Sequence, residues 1–386
     1  MIDNKLYFKN LDSIRFIAAL MVFLGHALSP SYQYLNIKNS IGEKLLNIIS
    51  NGGTGVSVFF VLSGFLITFL LITEYEITKK IALKKFYMRR ILRIWPLYFL
   101  VVFFSFLIYP FLKSLLGINN PLGSNIFYHL AFLSNFDVIN IEKFYAGSDA
   151  MSQNITWSVS IEEQFYLFWP LIFLCFPKRL WIYCILFVMI CSLLFRLLHN
   201  DDAITLYFHT FSVLLDLAIG GFMAYLIKEF PKIRVFFEKC STLTHLTLVI
   251  FSFSLLYWSE FINTLAYGLA MNRIFISFSF ALIISAQAIT KKESLLNFSN
   301  LTFASKWGKY TYGIYLIHPI VLTIINVLFR SFQFCQTSFI SVLSISIIEF
   351  ILTLILSKIS YRYYESRFLL LKNNYISVSS TKSATQ

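Results

Sequence analysis

The sequence predicts an all-α membrane protein, a bundle of about ten transmembrane helices with both termini in the cytoplasm. Three observations support this fold class. First, 58% of the residues are hydrophobic and only 13% are charged, whereas about 25% of a soluble domain is charged. Second, the hydrophobic residues are gathered into runs long enough to cross a bilayer. Third, Lys and Arg are concentrated in alternate loops, which is the pattern that orients membrane helices.

The predicted spans follow one another with short connections. Each run is mainly apolar and approaches or exceeds the roughly 20 residues that cross the hydrocarbon core as a helix. The runs lie at residues 11–29, 54–73, 91–116, 156–177, 180–198, 205–228, 242–258, 269–289, 308–330 and 337–361.

Two further segments complete the predicted domain organisation. The apolar segment 125–136 is too short to span, so we expect it to lie at the interface or to re-enter the membrane. Residues 1–371 are predicted to form one transmembrane domain. Residues 372–386 are rich in Ser, Thr and Asn, and we expect them to form a disordered cytoplasmic tail.

The distribution of Lys and Arg sets the predicted orientation. Most of these residues lie near the N-terminus, in the even-numbered loops and near the C-terminus. Because positive residues are retained on the cytoplasmic side, both termini are predicted to be cytoplasmic. The opposite side carries only Lys38, Lys44, Lys113, Lys143, Arg196 and Arg330.

Charge and cysteine content exclude several classes of partner and site. In a membrane protein, the residues behind the net charge of +13 are expected to set the topology and to attract anionic lipid or an anionic cosubstrate. Binding of nucleic acid is not expected. The five cysteines show neither a CxxC pair nor a Cys/His spacing, so neither a disulfide framework nor a metal site is expected.

The first predicted helix carries two ionisable residues, Arg15 and His26. Such groups are costly in a bilayer unless they face the bundle interior or water, so each is a functional candidate. They are eleven residues apart, which is about three helical turns and roughly 16 Å of axial rise. We therefore expect both on one face, with Arg15 near the cytoplasm. The structural alternative is snorkelling for Arg15 and helix packing for His26.

Three arginines, Arg89, Arg90 and Arg93, lie at the cytoplasmic start of the third predicted helix. Their forked guanidinium groups match phosphate geometry better than lysines do, so they are candidates for binding a phosphate-bearing ligand. The alternative is a topology anchor.

The fourth predicted helix begins at its outer end with Trp157 and Ser158, followed by Glu162 and Tyr166. A carboxylate at Glu162 could orient the imidazole of His26, as the third member of a catalytic triad does. It could also simply favour the helix N-terminus.

Two further candidates lie in other spans. Ser63 stands beside Gly64 in the second helix, and His318 precedes Pro319 in the ninth. For both, helix packing or internal hydrogen bonding is the alternative to a role in binding. Arg273 and Asp216 also lie within spans, and we expect each to need a polar partner.

The order and spacing of several motifs resemble the bacterial acyltransferase-3 family of integral membrane O-acyltransferases. Each motif is weak by itself, but together they cover nearly the whole chain. The motifs are Leu11–Arg15 followed by His26, Phe59–Phe65, Arg89–Tyr98, Trp157–Tyr166, Gly313–Pro319 and Tyr364–Phe368.

The resemblance implies transfer of an acyl group, most often acetyl, from cytoplasmic acyl-CoA to a hydroxyl of a cell-surface or lipid-linked glycan at the bacterial inner membrane. It implies His26, Arg15 and Glu162 as catalytic residues, with His26 acting as a general base or as a transient acyl carrier. The three arginines would hold the phosphates of CoA. The candidates for binding the rest of the substrates are Ser63, Trp157, Ser158, Tyr166 and His318.

A transporter or flippase of a lipid-linked glycan is the alternative function, because it too would have about ten helices and buried charges. Transporters often contain two repeated halves with broken helices in matching positions. The motifs here are concentrated in the first four helices, which favours the acyltransferase.

Overall fold

The computed structural model describes residues 8–28, 40–115, 123–144, 154–290, 294, 296–331 and 339–375. Within them the chain is helical, with turns but no β-strand, which confirms the predicted all-α class. The helices of the first half are α1 (Lys9–Leu28), α2 (Ser40–Ile49), α3 (Gly52–Thr78), α4 (Leu83–Phe103), α5 (Tyr109–Leu115), α6 (Ile126–Leu130), α7 (Ser134–Phe144), α8 (Thr156–Cys175) and α9 (Trp181–Leu198).

The second half continues the same architecture. Short π-helical stretches, Phe104–Ile108 and Tyr361–Glu365, extend α4 and α18. The helices are α10 (Ala203–Phe208), α11 (Thr210–Glu229), α12 (Pro231–Glu238), α13 (Thr242–Tyr257), α14 (Ser259–Asn263), α15 (Gly268–Ile289), α16 (Thr302–Trp307), α17 (Thr311–Ser331), α18 (Phe339–Ser360) and α19 (Ser366–Lys372).

Eight helical segments of the described chain are long and apolar enough to cross a membrane, and a ninth is obtained if α12 and α13, bent by 98°, form one span. Each of the ten predicted runs overlaps a helix. Helix α8 has 20 residues but is not among the eight, because Glu162, Glu163 and Gln164 lower its hydropathy. The same polar residues that make α8 a functional candidate therefore make it harder to recognise as a transmembrane helix from its hydropathy.

Helices α3 and α11 cross at the centre of the bundle with their backbones in close contact. A Cβ atom at Gly64 would lie 1.8 Å from the carbonyl oxygen of Leu217, and one at Gly220 would lie 1.9 Å from that of Val61. Only glycine permits this approach, which is the way membrane helices commonly pack. Gly64 is thus a packing residue, while its neighbour Ser63 remains partly accessible.

The segment 125–136, predicted to lie at the interface or to re-enter the membrane, contains the short helix α6 and the start of α7. Lys143, in the last turn of α7, donates to Asp202 at 2.5 Å and to Thr205 at 2.8 Å. Partial burial raises the pKa of Asp202, but the hydrogen bonds from Lys143 and Thr205 outweigh it and lower this pKa to about 2. These contacts join α7 to the loop before α10.

Of the predicted tail, residues 372–386, the structure describes only the first four residues. Residues 372–375 are helical rather than disordered, because α19 ends at Lys372 and a 3-10 turn covers Asn373–Tyr375. Arg89 holds this turn by donating from Nη1 to the carbonyl oxygen of Tyr375 at 2.8 Å. Residues 376–386 lie outside the described chain.

The charged residues expected to need partners in the spans pair with each other. Arg273 donates from Nε to Asp216 at 2.8 Å, and the hydroxyl of Ser277 donates to the second carboxylate oxygen at 2.8 Å. A buried charge that is both paired and hydrogen-bonded can be accommodated in an apolar core. This ion pair joins α11 to α15.

Candidate functional site

A cavity of about 110 Å³ lies between α1, α3, α4, α8 and α17. It brings together most of the residues that the sequence singled out, from four different helices. Its polar lining consists of Arg15, Ser63, Arg90, Arg93, Ser158, Glu162, Tyr166, Thr311, Tyr312 and Tyr315.

Glu162 anchors a hydrogen-bonded triangle on the wall of this cavity. Ser63 donates to one carboxylate oxygen at 3.0 Å, and the phenol of Tyr166 donates to the other at 2.9 Å. The two hydroxyl oxygens are themselves 2.8 Å apart. The triangle joins α3 to α8, and the guanidinium of Arg90 lies 5.8 Å from the centre of the Tyr166 ring. Glu162 thus sits between hydroxyl donors and an arginine.

The predicted contact between Glu162 and His26 is not formed in the described structure. The carboxylate of Glu162 is held by Ser63 and Tyr166 on the cavity wall. The partner of His26 is His318, with Nδ1 of His26 2.9 Å from Nε2 of His318. His318 therefore occupies the position predicted for Glu162.

The histidine pair has a defined proton arrangement. Nδ1 of His318 lies 3.0 Å from the carbonyl oxygen of Ile314, which can only accept a hydrogen bond, so this nitrogen carries the proton. In a neutral ring, Nε2 of His318 is then an acceptor, and Nδ1 of His26 must donate to it. Nε2 of a neutral His26 is left as a basic nitrogen. This is the arrangement that a third residue imposes on the histidine of a catalytic triad.

Tyr315 lies between the cavity and the histidine pair. Its hydroxyl is 2.5 Å from that of Ser158, at the cavity wall. Its ring centre is 6.1 Å from that of His318, one turn further along α17. Tyr315 belongs to the motif Gly313–Pro319 but is not among the candidates predicted from the sequence. The available signal was a hydroxyl in an apolar run, one turn before an intramembrane histidine.

The three arginines of α4 divide into two roles. Arg90 and Arg93 line the cavity, and Nε of Arg90 is buried without a hydrogen-bond acceptor in the described chain. Arg89 is not part of the cavity lining and contacts Glu74 at 3.4 Å. Of the three arginines predicted to bind phosphate, two therefore line the cavity. Arg89 instead binds the turn at Asn373–Tyr375.

Arg15 and Trp157 complete the set of predicted residues. Arg15 lines the cavity and forms an ion pair with Asp12, one turn earlier on α1. Trp157 is buried in an aromatic cluster, with ring centres 5.9 Å from Phe60 and 4.9 Å from Phe208. It does not line the cavity, so its described contacts are those of a core residue.

Comparison with known proteins identifies the family of this chain. The family model described as an acyltransferase domain, acyltransferase-3, matches residues 8–359. The chain is 30% identical over 372 residues to a protein named O-acetyltransferase OatA from Staphylococcus aureus strain NCTC 8325, covering 93% of this chain and 57% of the relative. It is 29% identical over 387 residues to the putative O-acetyltransferase SACOL0978 of strain COL, covering 94% and 57%.

The chain spans a little over half the length of these curated relatives. No solved structure matches it significantly. The family model nevertheless extends over all the helices that build the cavity and the histidine pair. The chain is therefore a multi-pass membrane protein that belongs to the acyltransferase-3 family.

Proposed function

We propose that this protein transfers an acyl group, most often acetyl, from cytoplasmic acyl-CoA to a hydroxyl of a cell-surface or lipid-linked glycan at the bacterial inner membrane. The observation that carries the proposal is the His26–His318 pair beside a cavity lined by arginines. The names of the Staphylococcus aureus relatives, both O-acetyltransferases, support acetyl as the group.

His26 is the proposed general base. Its Nε2 nitrogen accepts the proton of the glycan hydroxyl while the hydroxyl oxygen attacks the thioester carbonyl. The tetrahedral intermediate collapses with cleavage of the carbon–sulfur bond, and CoA leaves as a thiolate that takes up a proton. The products are the glycan ester and CoA.

The same nitrogen supports a two-step alternative. Nε2 of His26 attacks the thioester, CoA leaves, and the acyl-imidazole then passes the acyl group to the hydroxyl. Both routes require Nε2 of His26 to be unprotonated. The contact between Nδ1 of His26 and Nε2 of His318 supports this requirement. Burst kinetics of CoA release before glycan addition would support the two-step route.

The donor is proposed to enter from the arginine side of the cavity. Arg90 and Arg93, with Arg15, supply the guanidinium groups that phosphates of CoA require. The thioester would then lie towards Ser158 and Tyr315, next to the histidine pair. Glu162 is proposed to fix Ser63 and Tyr166 in the wall rather than to act on His26.

The experiment that tests this function uses the purified protein in liposomes, acetyl-CoA labelled in the acetyl group, and a surface polysaccharide from a strain that lacks the protein. An acetyltransferase makes alkali-labile labelled ester on the polysaccharide and releases CoA in equal amount. A transporter or flippase would move a lipid-linked glycan between leaflets without forming labelled ester. That second result would refute the proposal.

A further inference from the structure

The segment 366–375 packs against α4, whose N-terminal part carries the three arginines. Helix α19 contacts α4, and Arg89 binds the carbonyl oxygen of Tyr375. Just before this segment, the phenol of Tyr364 donates to the carbonyl oxygen of Pro96 at 3.1 Å. The segment is therefore fixed beside the arginines of α4 by contacts at both of its ends.

Lys372, at the end of α19, lies within this group of positive charges. It is partly buried. It lies three residues before Tyr375, whose carbonyl oxygen Arg89 binds, in a segment that packs against α4. Its ammonium group is repelled there by the guanidinium groups of Arg93, Arg90, Arg89 and Arg15. Burying a fifth positive charge here is unfavourable unless an anion joins the group, because like charges repel strongly where water is partly excluded.

Carboxylates of the protein neutralise only part of the group. Asp12 forms an ion pair with Arg15, and Glu74 forms one with Arg89. Across the described residues, no carboxylate lies within ion-pair distance of Arg90, Arg93 or Lys372. These three cations therefore have no ion-pair partner in the described chain, although Glu162, Glu163 and Glu365 lie near enough to interact electrostatically with Arg90 or Arg93.

The chemistry of these three cations indicates a ligand with several phosphate charges. Two are arginines, whose forks bind phosphate oxygens in pairs, and the third is a lysine, which acts as a point charge on a flexible stem. Nε of Arg90, buried without an acceptor, supplies a further unused donor. A single carboxylate would leave most of these donors unsatisfied.

We propose that Lys372 is a phosphate-binding residue, and that segment 366–375 forms one wall of the site that holds the phosphates of the acyl donor. The inference rests on the proposed function, in which acyl-CoA enters from this side. A lipid headgroup offers the same phosphate chemistry, so the two sources are separated by experiment. This wall includes residues 372–375, which the sequence assigns to the tail.

The test is a calorimetric titration of CoA into the protein in nanodiscs of zwitterionic phosphatidylcholine, with the variants Lys372→Ala and Lys372→Arg. We expect Lys372→Ala to weaken CoA binding about tenfold, the effect of losing one charge-assisted hydrogen bond. Lys372→Arg should bind within about threefold of the parent, because it retains the charge. The affinity of Lys372→Ala should also fall less steeply with added salt.

Arg367→Ala is the matched control. Arg367 is an exposed cation on α19, five residues before Lys372 and therefore on a different face. We expect its substitution to leave CoA binding unchanged. If Arg367→Ala lost as much CoA affinity as Lys372→Ala, the effect would be one of general surface charge. That result would overturn the assignment of Lys372.

Two further outcomes distinguish failure of the Lys372 assignment from failure of the proposed function. If the parent binds CoA and Lys372→Ala binds it equally well, Lys372 is not a phosphate ligand, while the proposed function stands. If the parent binds no CoA, the donor in the proposed function is wrong as well. Nanodiscs containing phosphatidylglycerol provide the lipid arm: a Lys372-dependent rise in melting temperature there, with unchanged CoA affinity, would assign the site to a headgroup instead.

Discussion

His318 determines which nitrogen of His26 is available for chemistry. Its Nδ1 is bound to the carbonyl oxygen of Ile314, and its Nε2 is 2.9 Å from Nδ1 of His26. A proton on Nδ1 of His318 therefore places a proton on Nδ1 of His26 and leaves Nε2 of His26 basic. The two residues come from α1 and α17, 292 positions apart in the chain.

Replacing His318 should therefore reduce the chemical step more than donor binding. We expect His318→Ala to lower kcat for acetyl transfer by roughly 10–100-fold with little change in KM for acetyl-CoA, since the imidazole of His26 loses its orientation. His318→Gln should retain more activity, because its side-chain oxygen can accept from Nδ1 of His26. Equal activity in these two variants would contradict a positioning role for His318.

Tyr315 is placed to assist the reacting carbonyl. Its hydroxyl lies at the cavity wall, 2.5 Å from Ser158, and could donate to the oxygen on which negative charge develops. We expect Tyr315→Phe to lower kcat by about 10–100-fold, less than or comparable to the loss of one oxyanion donor in other enzymes.

Tyr312→Phe is the control for Tyr315→Phe. Tyr312 lines the same cavity, but its hydroxyl donates to the carbonyl oxygen of Ile94 at 2.7 Å. We expect its substitution to change stability rather than kcat. If both variants lowered kcat equally and had equal melting temperatures, Tyr315 would not be the donor to the reacting carbonyl.

The adjacent residues Arg89 and Arg90 should behave differently when changed to alanine. Arg90→Ala removes a guanidinium from the cavity, and we expect CoA affinity to fall about tenfold or more with little loss of stability. Arg89→Ala breaks the contacts with Glu74 and Tyr375, so a lower melting temperature should be its main effect. Titration with CoA and thermal unfolding in the same nanodiscs measure both; a reversed pattern would show that the two roles are assigned the wrong way round.

The crossing of α3 and α11 should tolerate no side chain. A methyl group at Gly64 would overlap the backbone of Leu217, so Gly64→Ala should destabilise the protein by about 3 kcal/mol or more and lower its melting temperature. Gly52→Ala, in the first turn of α3, is the control because its added Cβ would be 3.6 Å from the nearest atom. A similar loss of stability in both variants would show that the crossing is not the cause.

The sequence predicted the fold class and most of the cavity because both leave local signals. Runs of apolar residues indicate spans, and a charge within or beside a run stands out, as Arg15, Arg90 and Glu162 do. Pairings between distant helices leave no such signal. The sequence indicates His26 and offers Glu162 as its possible partner, but only the packing of α1 against α17 brings His318 to His26.

Composition does not reveal the helical order of residues 372–375. They follow an apolar run and begin a stretch of polar residues, which is typical of a tail. Their order depends on Arg89 and on packing against α4, which lie far away in sequence. Lys372 could not be recognised as a candidate ligand until that packing placed it among the arginines.

The most direct test of the central claim is acetyl transfer by His26→Asn, compared with the parent protein in the same liposomes. The variant is first required to insert, to unfold at the parent's temperature and to bind CoA with the parent's affinity. With those conditions met, we expect transfer of labelled acetyl to the glycan to fall by about 10²–10⁴-fold, as for loss of a general base. Transfer at the parent's rate would contradict the assignment of His26 as the reacting residue.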